Sequence, residues 1–267
     1  MVNNNKPSPK IQAVFFDIDG TLVSFKTHTI SPTTKAVIRQ LRDNGIKVII
    51  STGRSLRDIN NLEDLEFDGF ITVNGAYCVD SKGEVIAQYP IPKENLERLA
   101  LYMRDKPFSC SFVTDQGNFV NYIDDLHLSM SKFVEVPPPP IKPLAEILEH
   151  TIYQLDAFID AECETELLTC MMTNCIGTRW HPIFTNINAK ECNKATGIDC
   201  LLAHYGISNK HTMAFGDGGN DISMLKHASI GVAMGNAKDH VKAAADYITT
   251  SVDENGVAEA LKYFGII

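Results

Sequence analysis

The sequence lacks paired cysteines, and this absence argues against two classes of protein. The seven cysteines among the 267 residues are scattered, odd in number and include no C-x-x-C pair. Structural zinc sites and disulfide frameworks normally need paired spacing. The group Cys163, Cys170 and Cys175 leaves a metal site open as an alternative, but reduced and mostly buried thiols in a cytoplasmic protein are the simpler interpretation.

The sequence also lacks long hydrophobic runs and an excess of positive charge. No stretch approaches the roughly 20 apolar residues that a membrane helix needs, and residues 1–10 are polar, unlike a signal peptide. The formal net charge is −9, whereas nucleic-acid-binding domains usually carry a basic stripe. We therefore expect a cytoplasmic protein, a monomer or small homo-oligomer, with no membrane or nucleic-acid partner. An anionic substrate remains compatible with this charge if positive side chains are local.

Alternating strands and helices are present at both ends of the chain. The runs IQAVFF at residues 11–16 and IKVII at residues 46–50 are typical of strands that are buried on both faces. Between them, Ser31-Pro32 predicts the start of a helix. Further helices are predicted at 55–65, 195–204, 221–227, 239–245 and 256–264. This rhythm predicts an α/β fold, a Rossmann-like, doubly wound and mostly parallel sheet.

The middle of the chain loses this rhythm. Strand-like pieces at 112–113, 119–122 and 151–158 accompany weak helix signals at 144–149 and 162–168. Four consecutive prolines at 137–140 read as a short rigid turn more readily than as a linker, because structured segments flank them closely. We predict an α+β domain at residues 84–187 inserted into a core formed by residues 1–83 and 188–267. Asn74-Gly75 is predicted as the turn leading into this insert.

Two carboxylates follow the first buried strand in the run Asp17-Ile18-Asp19-Gly20-Thr21. Open parallel sheets bind ligands at the carboxyl ends of their strands. Asp and Gly also form turns, but a turn does not need two acids around an apolar residue. In this position Asp17 is a candidate to attack phosphorus, and Asp19 is a candidate to protonate the leaving oxygen and later deprotonate water.

The second strand ends in Ser51-Thr52-Gly53-Arg54, which offers a hydroxyl and backbone N–H groups to an anion. By itself this signal is weak, since Ser or Thr here is as often a helix cap. Lys194 opens a later helix, where a positive charge is unfavourable for the helix dipole. That cost is explained if Lys194 reaches into an anionic site, although a solvated surface lysine is the default.

A third strand end carries Gly216-Asp217-Gly218-Gly219-Asn220-Asp221. Hard oxygen ligands of this kind suit Mg²⁺, which takes one or two protein carboxylates together with substrate phosphate. The run is not a dinucleotide fingerprint, because Asp221 stands where the last glycine is needed.

These four motifs, in this order, resemble the haloacid dehalogenase-like hydrolase superfamily. The layout of nearly the whole chain is similar to its Cof-type, subfamily IIB branch with a C2B cap. The resemblance implies that Asp17 is the nucleophile and Asp19 the general acid/base, and that Thr52 and Lys194 hold the phosphoryl group. It further implies that Asp217 ligates Mg²⁺ with Asp17 and the backbone carbonyl of Asp19.

The remaining assignments follow the same resemblance. Asp221 would support the metal through water, and Asn220, together with Gly53, would contact phosphate. One departure is Ala195, where many relatives have Gly after the lysine, and it makes Lys190 a rival to Lys194.

The insert is expected to close over the site and to contact the part of the substrate beyond the phosphate. Its clearest cluster of polar and aromatic residues is Arg179-Trp180-His181, in which Arg179 and Trp180 are candidates for binding a sugar. A packed Trp between surface charges explains the cluster at least as well. Caps of this type resemble those of sugar-phosphate phosphatases.

The sequence therefore predicts a Mg²⁺-dependent phosphatase that hydrolyses small phosphorylated metabolites, with sugar phosphates favoured, through a phospho-aspartate intermediate. A phosphotransferase or phosphomutase that uses the same aspartate is one alternative. A non-catalytic protein that binds phosphate ligands is another, although a pure binder gains nothing from a nucleophile.

Overall fold

The computed structural model describes residues 10–134 and 136–267, apart from the side chain of Trp180. The chain divides into two compact units. One consists of the residues up to Ala87 together with Asn193–Ile267, and the other of Gln88–Cys192. The predicted boundaries at 84 and 187 lie within a few residues of these limits. Among the described residues, no helix has the length and apolar content needed to cross a bilayer.

The strands of the described residues lie in two sheets. In chain order they are β1 (Ala13–Phe16), β2 (Lys47–Ser51), β3 (Gly69–Thr72), β4 (Tyr77–Asp80), β5 (Val85–Gln88), β6 (Cys110–Thr114), β7 (Gly117–Val120), β8 (Ile152–Ala157), β9 (Cys175–His181), β10 (Phe184–Ala189), β11 (Thr212–Gly216), β12 (Ile230–Ala233) and β13 (Tyr247–Ile248).

The α-helices of the same residues are α1 (Pro32–Asp43), α2 (Lys93–Asp105), α3 (Asp125–Phe133), α4 (Leu144–Ile147), α5 (Ala161–Glu166), α6 (Lys194–Tyr205), α7 (Ile222–His227), α8 (Asp239–Lys242) and α9 (Gly256–Tyr263). A π-helical turn at Leu167–Met171 follows α5 directly.

The first sheet has the strand order β13-β12-β11-β1-β2-β3-β4-β5. From β13 to β3 the neighbours are parallel, and β4 then pairs with β3 in the antiparallel sense. All four residues of β1 are buried, as a central strand covered by helices on both faces requires. The mostly parallel α/β sheet that the sequence predicts is therefore confirmed.

Helix α1 shows how the local sequence produces this layer. Ser31 caps it by accepting a hydrogen bond from the backbone N–H of Thr34, and Pro32 fills its first turn. Its buried face carries Val37, Ile38 and Leu41, which join the apolar cluster on one side of the sheet.

Two local predictions for this unit are wrong. A helix was expected at 55–65, but only Leu56–Asp58 forms a single 3₁₀ turn. Asn74-Gly75 does not lead into the insert; it joins β3 to the antiparallel β4, with Asn74 at φ 56° and Gly75 at φ 100°. The first unit thus extends its sheet through β4 and β5 before the second unit begins.

The second unit contains an antiparallel sheet of order β7-β6-β8-β10-β9. One face packs an apolar core that includes Leu99 of α2, Phe112 of β6, Leu155 of β8 and Ile187 of β10. Antiparallel strands with helices grouped around them form an α+β arrangement. This is the fold type expected of the insert.

Candidate active site

The parallel strands bring the predicted acids to one edge of the first sheet. Strand β1 lies between β11 and β2, and the backbone N–H of Asp17 donates to the carbonyl of Phe215 at 3.0 Å. Asp17 follows β1 and Asp217 follows β11. Because neighbouring parallel strands end at the same edge, residues 200 positions apart become neighbours.

Asp17, Asp217 and Asp221 each place one carboxylate oxygen so that these oxygens lie within 4.8 Å of one another. Burial, and then the negative charge of Asp221, raises the pKa of Asp17 well above its usual value. Burial also raises the pKa of Asp217 to about 7, again assisted by Asp221. Clustered buried carboxylates repel one another, and a cation relieves this repulsion.

The cluster fits Mg²⁺ by the chemistry of its donors. Magnesium prefers hard oxygen ligands and usually takes only one or two protein carboxylates, and Asp17 and Asp217 supply them. Gly20, at φ +78°, lies directly against the carboxylate of Asp217, where a Cβ would collide with it. The glycine therefore allows the D-x-D-G turn to approach the acidic cluster closely.

Lys194 is the buried cation of this site, with 0% of its side chain exposed. Its Nζ donates to Asp17 Oδ1 at 2.7 Å and also to Asp221 Oδ1. Burial lowers the pKa of Lys194, but the charges of Asp17 and Asp221 outweigh this effect and raise it above its ordinary value. The ammonium therefore stays charged against the acid predicted as nucleophile. Lys190, its rival in the sequence, is exposed and donates to the carbonyl of Thr173.

The start of α6 fixes where Lys194 lies. The side chain of Asn193 accepts from the N–H groups of Ala195 and Thr196, and the hydroxyl of Thr196 accepts from the N–H of Asn193. This capping box sets the first helical residue as Lys194. A Cβ on Gly75 would collide with the backbone of Asn193, so the β3–β4 turn lies tightly against this helix start.

Asp221 orders the loop of the Gly216–Asp221 motif, to which it belongs. Its Oδ2 accepts from the N–H groups of Asp217 and Gly218 at 2.9 and 2.8 Å, while its Oδ1 accepts from Lys194. One carboxylate thus orients both the loop that carries Asp217 and the ammonium group. Support of the metal by Asp221 through water stays a prediction.

Asp19 is paired with Arg54, a residue to which the sequence analysis gave no role. The guanidinium makes a bidentate contact, Nε to Oδ2 at 2.8 Å and Nη2 to Oδ1 at 2.5 Å. Its Nη1 also donates to Asn61 Oδ1 at 3.1 Å, which fixes the plane of the guanidinium. The Arg after Ser51-Thr52-Gly53 was the signal available in the sequence, since planar bidentate pairing with a carboxylate is characteristic of arginine.

The phosphate-binding candidates lie around a buried asparagine that was also missed. Asn220 Nδ2 donates to Asn74 Oδ1 at 2.9 Å, and Gly53 borders both amides. Thr52 is buried, and its hydroxyl accepts from the N–H of Arg54. The structure therefore brings Gly53 and Asn220 together, and Asn74 lies between the motifs that contain them.

Asn236 is a third residue that sequence reasoning missed. Its Nδ2 donates to the carbonyl of Gly20 at 2.9 Å and to Asp217 Oδ2 at 3.0 Å, and its Oδ1 accepts from the N–H of Val252. It therefore joins the motif of Gly20 and the motif of Asp217 to the C-terminal loop that contains Val252. No local pattern around Asn236 indicates this contact.

Arg179 and Trp180 lie in β9 of the second unit. The guanidinium of Arg179 donates to Glu164 Oε2 at 2.6 Å and to the carbonyls of Pro182 and Ile159 at 2.8 and 2.9 Å. These contacts tie β9 to the segment around α5, so they give Arg179 an internal bracing position. A substrate contact by Arg179 or Trp180 stays a prediction.

Comparison with known proteins identifies the family. A family model of the haloacid dehalogenase-like hydrolases matches residues 14–261. The chain belongs to this family. The matched region contains the acidic cluster, Lys194 and Arg54, and the enzyme class of this hydrolase is phosphatase.

Individual relatives show how far the likeness extends. The chain is 32% identical to 5-amino-6-(5-phospho-D-ribitylamino)uracil phosphatase YcsE of Bacillus subtilis, over 95% of this chain and 96% of the relative. A solved structure described as the HAD subclass IIB sugar phosphatase BT4131 is 43% identical, with a TM-score of 0.88 and coverage of 96% and 100%. A Streptococcus pyogenes protein, named for both a phosphatase and a peptidyl-prolyl isomerase, is longer. This hydrolase is 28% identical to it and spans 55% of its length.

Proposed function

We propose that this hydrolase removes phosphate from small phosphorylated metabolites, with sugar phosphates as the favoured class, through a Mg²⁺-dependent phospho-aspartate route. The observation that carries the proposal is the contact of Lys194 Nζ with Asp17 Oδ1 inside a cluster of three carboxylates. Positive charge is thereby held next to a carboxylate at the open edge of the sheet. Phosphoryl transfer depends mainly on such positioning and charge neutralisation.

The first chemical step uses Asp17 and Asp19. An oxygen of ionised Asp17 attacks phosphorus while the bond from phosphorus to the leaving oxygen breaks, and Asp19 gives its proton to that oxygen. The charge of Lys194 lowers the pKa of Asp17 and so opposes the effect of burial, which raises it. The product is phospho-Asp17 and the dephosphorylated alcohol.

The second step returns the enzyme to its starting state. Asp19, now ionised, takes a proton from water as the water oxygen bonds to phosphorus and the bond to Asp17 breaks. Free phosphate leaves, and Asp17 and protonated Asp19 are restored. Because Asp19 must exchange protons, its pairing with Arg54 has to loosen during the cycle. Thr52, Gly53, Asn220 and Lys194 are proposed to hold the phosphoryl oxygens.

Asp17, Asp217 and the backbone carbonyl of Asp19 are proposed as the protein ligands of Mg²⁺, with Asp221 in support. When bound, the ion neutralises charge on the phosphoryl group and lowers the repulsion between an anionic nucleophile and an anionic substrate. The raised pKa values of Asp17 and Asp217 support this assignment, because they reflect surplus negative charge in a buried place.

The substrate class rests on weaker support than the reaction. The solved relative that is 43% identical is described as a sugar phosphatase, and the YcsE relative is named for a phosphorylated ribityl compound. We assign the second unit, Gln88–Cys192, as the C2B-type cap that selects the group beyond the phosphate; the sequence predicts this cap at residues 84–187. Its α+β sheet inserted into an α/β core supports that assignment.

The test is phosphate release from a panel of sugar phosphates, nucleotides and other phosphorylated metabolites, with Mg²⁺ and with EDTA. We expect release that requires the metal and disappears in Asp17→Asn. Transient labelling of the wild type by ³²P from the substrate, absent in the variant, would establish the covalent intermediate. Folded wild-type protein that releases no phosphate from any compound would overturn the hydrolase proposal. Transfer of the phosphoryl group to a second acceptor, or turnover that needs a bisphosphate activator, with little free phosphate formed, would indicate a transferase or mutase.

A further inference from the structure

Phe25 is an exposed aromatic residue that directly follows a buried segment and begins a run of exposed residues, 25–29. Its side chain is 63% exposed, whereas Val23 and Ser24 immediately before it are 3% and 6% exposed. Tight turns are usually made by small or polar residues, so the turn itself does not call for an aromatic ring. An exposed ring on a well-packed support is therefore a feature that needs a separate explanation.

The ring lies beside the acidic cluster. A Cβ on Gly20 would approach Phe25 Cε2 to 2.7 Å and would also collide with the carboxylate of Asp217. Phe25 and Asp217 thus border the same glycine, and this glycine directly follows Asp19. The ring is placed at the rim of the site where the phosphate is proposed to bind.

The turn that carries Phe25 is fixed on both sides of the residue. Ser24 Oγ donates to Asp253 Oδ1 at 2.6 Å, and Lys26 Nζ lies 2.6 Å from Asp253 Oδ2. The N–H of Lys26 donates back to Ser24 Oγ, and the N–H of Ser24 donates to the carbonyl of Thr29. Phe25 is therefore held between two anchored neighbours.

The same C-terminal loop also fixes the acidic cluster. Val252, next to Asp253, donates through its N–H to Asn236, and Asn236 in turn donates to Gly20 and Asp217. One loop consequently sets the position of both Asp217 and the Phe25 turn. A ring whose distance from the reacting centre is fixed in this way is suited to recognising a ligand group of fixed size.

We propose that Phe25 is a specificity-determining residue that packs its ring against the apolar C–H face of a sugar ring while the phosphate occupies the Asp17 and Lys194 site. The face of an aromatic ring carries partial negative charge, and sugar C–H groups are weakly positive and apolar. Ligand sites combine such aromatic surfaces with a few convergent polar groups. This inference rests on the proposed sugar phosphatase activity.

The experiment compares a ring sugar phosphate with acetyl phosphate, which has a phosphoryl group but no ring. The sugar is whichever of glucose 6-phosphate, mannose 6-phosphate and ribose 5-phosphate the wild type hydrolyses fastest. In Phe25→Ala we expect the ratio of kcat/KM for the sugar to kcat/KM for acetyl phosphate to fall about tenfold. The loss should appear in KM for the sugar, because the contact is made equally in the ground and transition states.

Three further variants separate the ring from bulk and from general surface effects. Phe25→Tyr keeps the ring and should stay within about twofold of the wild-type ratio, while Phe25→Leu keeps apolar bulk without the ring and should lose most of the effect. Tyr263→Ala removes another highly exposed aromatic side chain of the first unit, 67% exposed on α9, and should leave the ratio unchanged. Thermal unfolding confirms that each variant is folded.

Each alternative outcome has one meaning. An equal loss for both substrates would assign Phe25 to the packing of the catalytic loop and overturn the inference, as would an unchanged ratio. Release from acetyl phosphate but from none of the ring sugars would overturn it and leave the phosphatase intact. If the wild type released phosphate from no compound, the proposed function would fail. Calorimetric titration of glucose 6-phosphate into wild type and Phe25→Ala would then decide the ring contact alone.

Discussion

The two units bury polar groups in different ways. In the first unit, ionised side chains meet at strand ends, where Lys194 bonds to Asp17 and Asp221. In the second unit, three of the buried polar side chains are amides on neighbouring strands. Two of them, Gln154 and Asn186, donate to Asp156 Oδ1 at 2.8 and 2.6 Å. Asn188 extends this chain by donating to Gln154 Oε1.

The two arrangements serve different purposes: the charged cluster is suited to binding a ligand, and the amide row is suited to fixing the pairing of strands. Three carboxylates against one ammonium leave the first cluster with surplus negative charge, and such burial costs free energy unless a ligand compensates it. In the second unit, the carboxylate of Asp156 accepts hydrogen bonds from two amide donors. The surplus charge therefore distinguishes the proposed reacting centre, whereas the amide row fixes the register of neighbouring strands.

The largest expected effect comes from matched Asp→Asn changes in the two units. Asp17→Asn removes the proposed nucleophile and should lower kcat by roughly four orders of magnitude. Asp156→Asn also removes one charge, but it keeps an acceptor oxygen for Gln154 and Asn186, so we expect an effect mainly on stability, about 1 kcal/mol. Phosphate release measures kcat, and chemical denaturation measures the free energy of unfolding, for both variants. Comparable losses of turnover would show that the contrast between the units is wrong.

Removal of the buried ammonium should give the next largest effect. Lys194→Ala leaves Asp17 and Asp221 without their cation, and breaking a buried ion pair costs about 3 kcal/mol of unfolding free energy. We expect this loss at pH 8 and a smaller one at pH 5, because protonation of the acids removes their repulsion. Lys194→Met controls for lost packing volume. Because Lys194→Met also lacks the charge, it should show the same pH dependence, and a loss of stability in Lys194→Met that is equal at pH 5 and pH 8 would contradict a role for charge.

A smaller effect is expected from pH in chelated wild-type protein. The folded pKa of Asp217 is raised from 3.8 to about 7, chiefly by burial. A group with a raised folded pKa contributes stability below its unfolded pKa, and this contribution is lost as pH rises through the folded value. The chelated protein should therefore lose stability between about pH 4 and pH 7.

Mg²⁺ should restore that stability, since it offsets the charge of Asp217. Differential scanning calorimetry at a series of pH values, with EDTA and with Mg²⁺, gives the pH dependence of stability in each condition. Asp217→Asn should reduce the pH dependence measured with EDTA. A chelated protein whose stability did not change over this range would contradict the raised pKa.

The smallest effect should come from Arg179→Ala. The change leaves Glu164 without its guanidinium partner and removes donors to three backbone carbonyls, which should lower the unfolding free energy by about 2 kcal/mol. Arg179→Lys should recover only part of the lost unfolding free energy, because a lysine cannot reproduce the several planar donors of a guanidinium group. The ranking of substrates, measured in parallel, tests the sequence prediction that Arg179 grips a sugar: a changed ranking at unchanged stability would support that role.

The sequence predicts the first unit well because its signals are local. Apolar strands end in acids, and parallel topology then places Asp17 and Asp217 at one edge. Arg54, Asn74 and Asn236 were missed because their partners lie far along the chain and no short motif encodes those contacts.

Elsewhere, local hydrogen bonds and exposed apolar side chains made the helix predictions fail. Residues 55–65 read as a helix, but Ser55 Oγ bonds Asp58 at 2.5 Å and Arg54 donates to the carbonyl of Asp58, so a single turn forms. Helix α3 was missed because its apolar Leu126, Leu128 and Phe133 are exposed and give no clean buried stripe.

The capping box at Asn193 has a consequence for the modular construction of the enzyme. The second unit ends at Cys192, and the first helical residue after it is Lys194. Since Asn193 and Thr196 determine where that helix begins, the register of the lysine is independent of how many residues the insert contains. A different domain inserted between Ala87 and Asn193 would therefore leave Lys194 at the first position of this helix. The second unit can thus diversify without a change in the position of Lys194 beside Asp17.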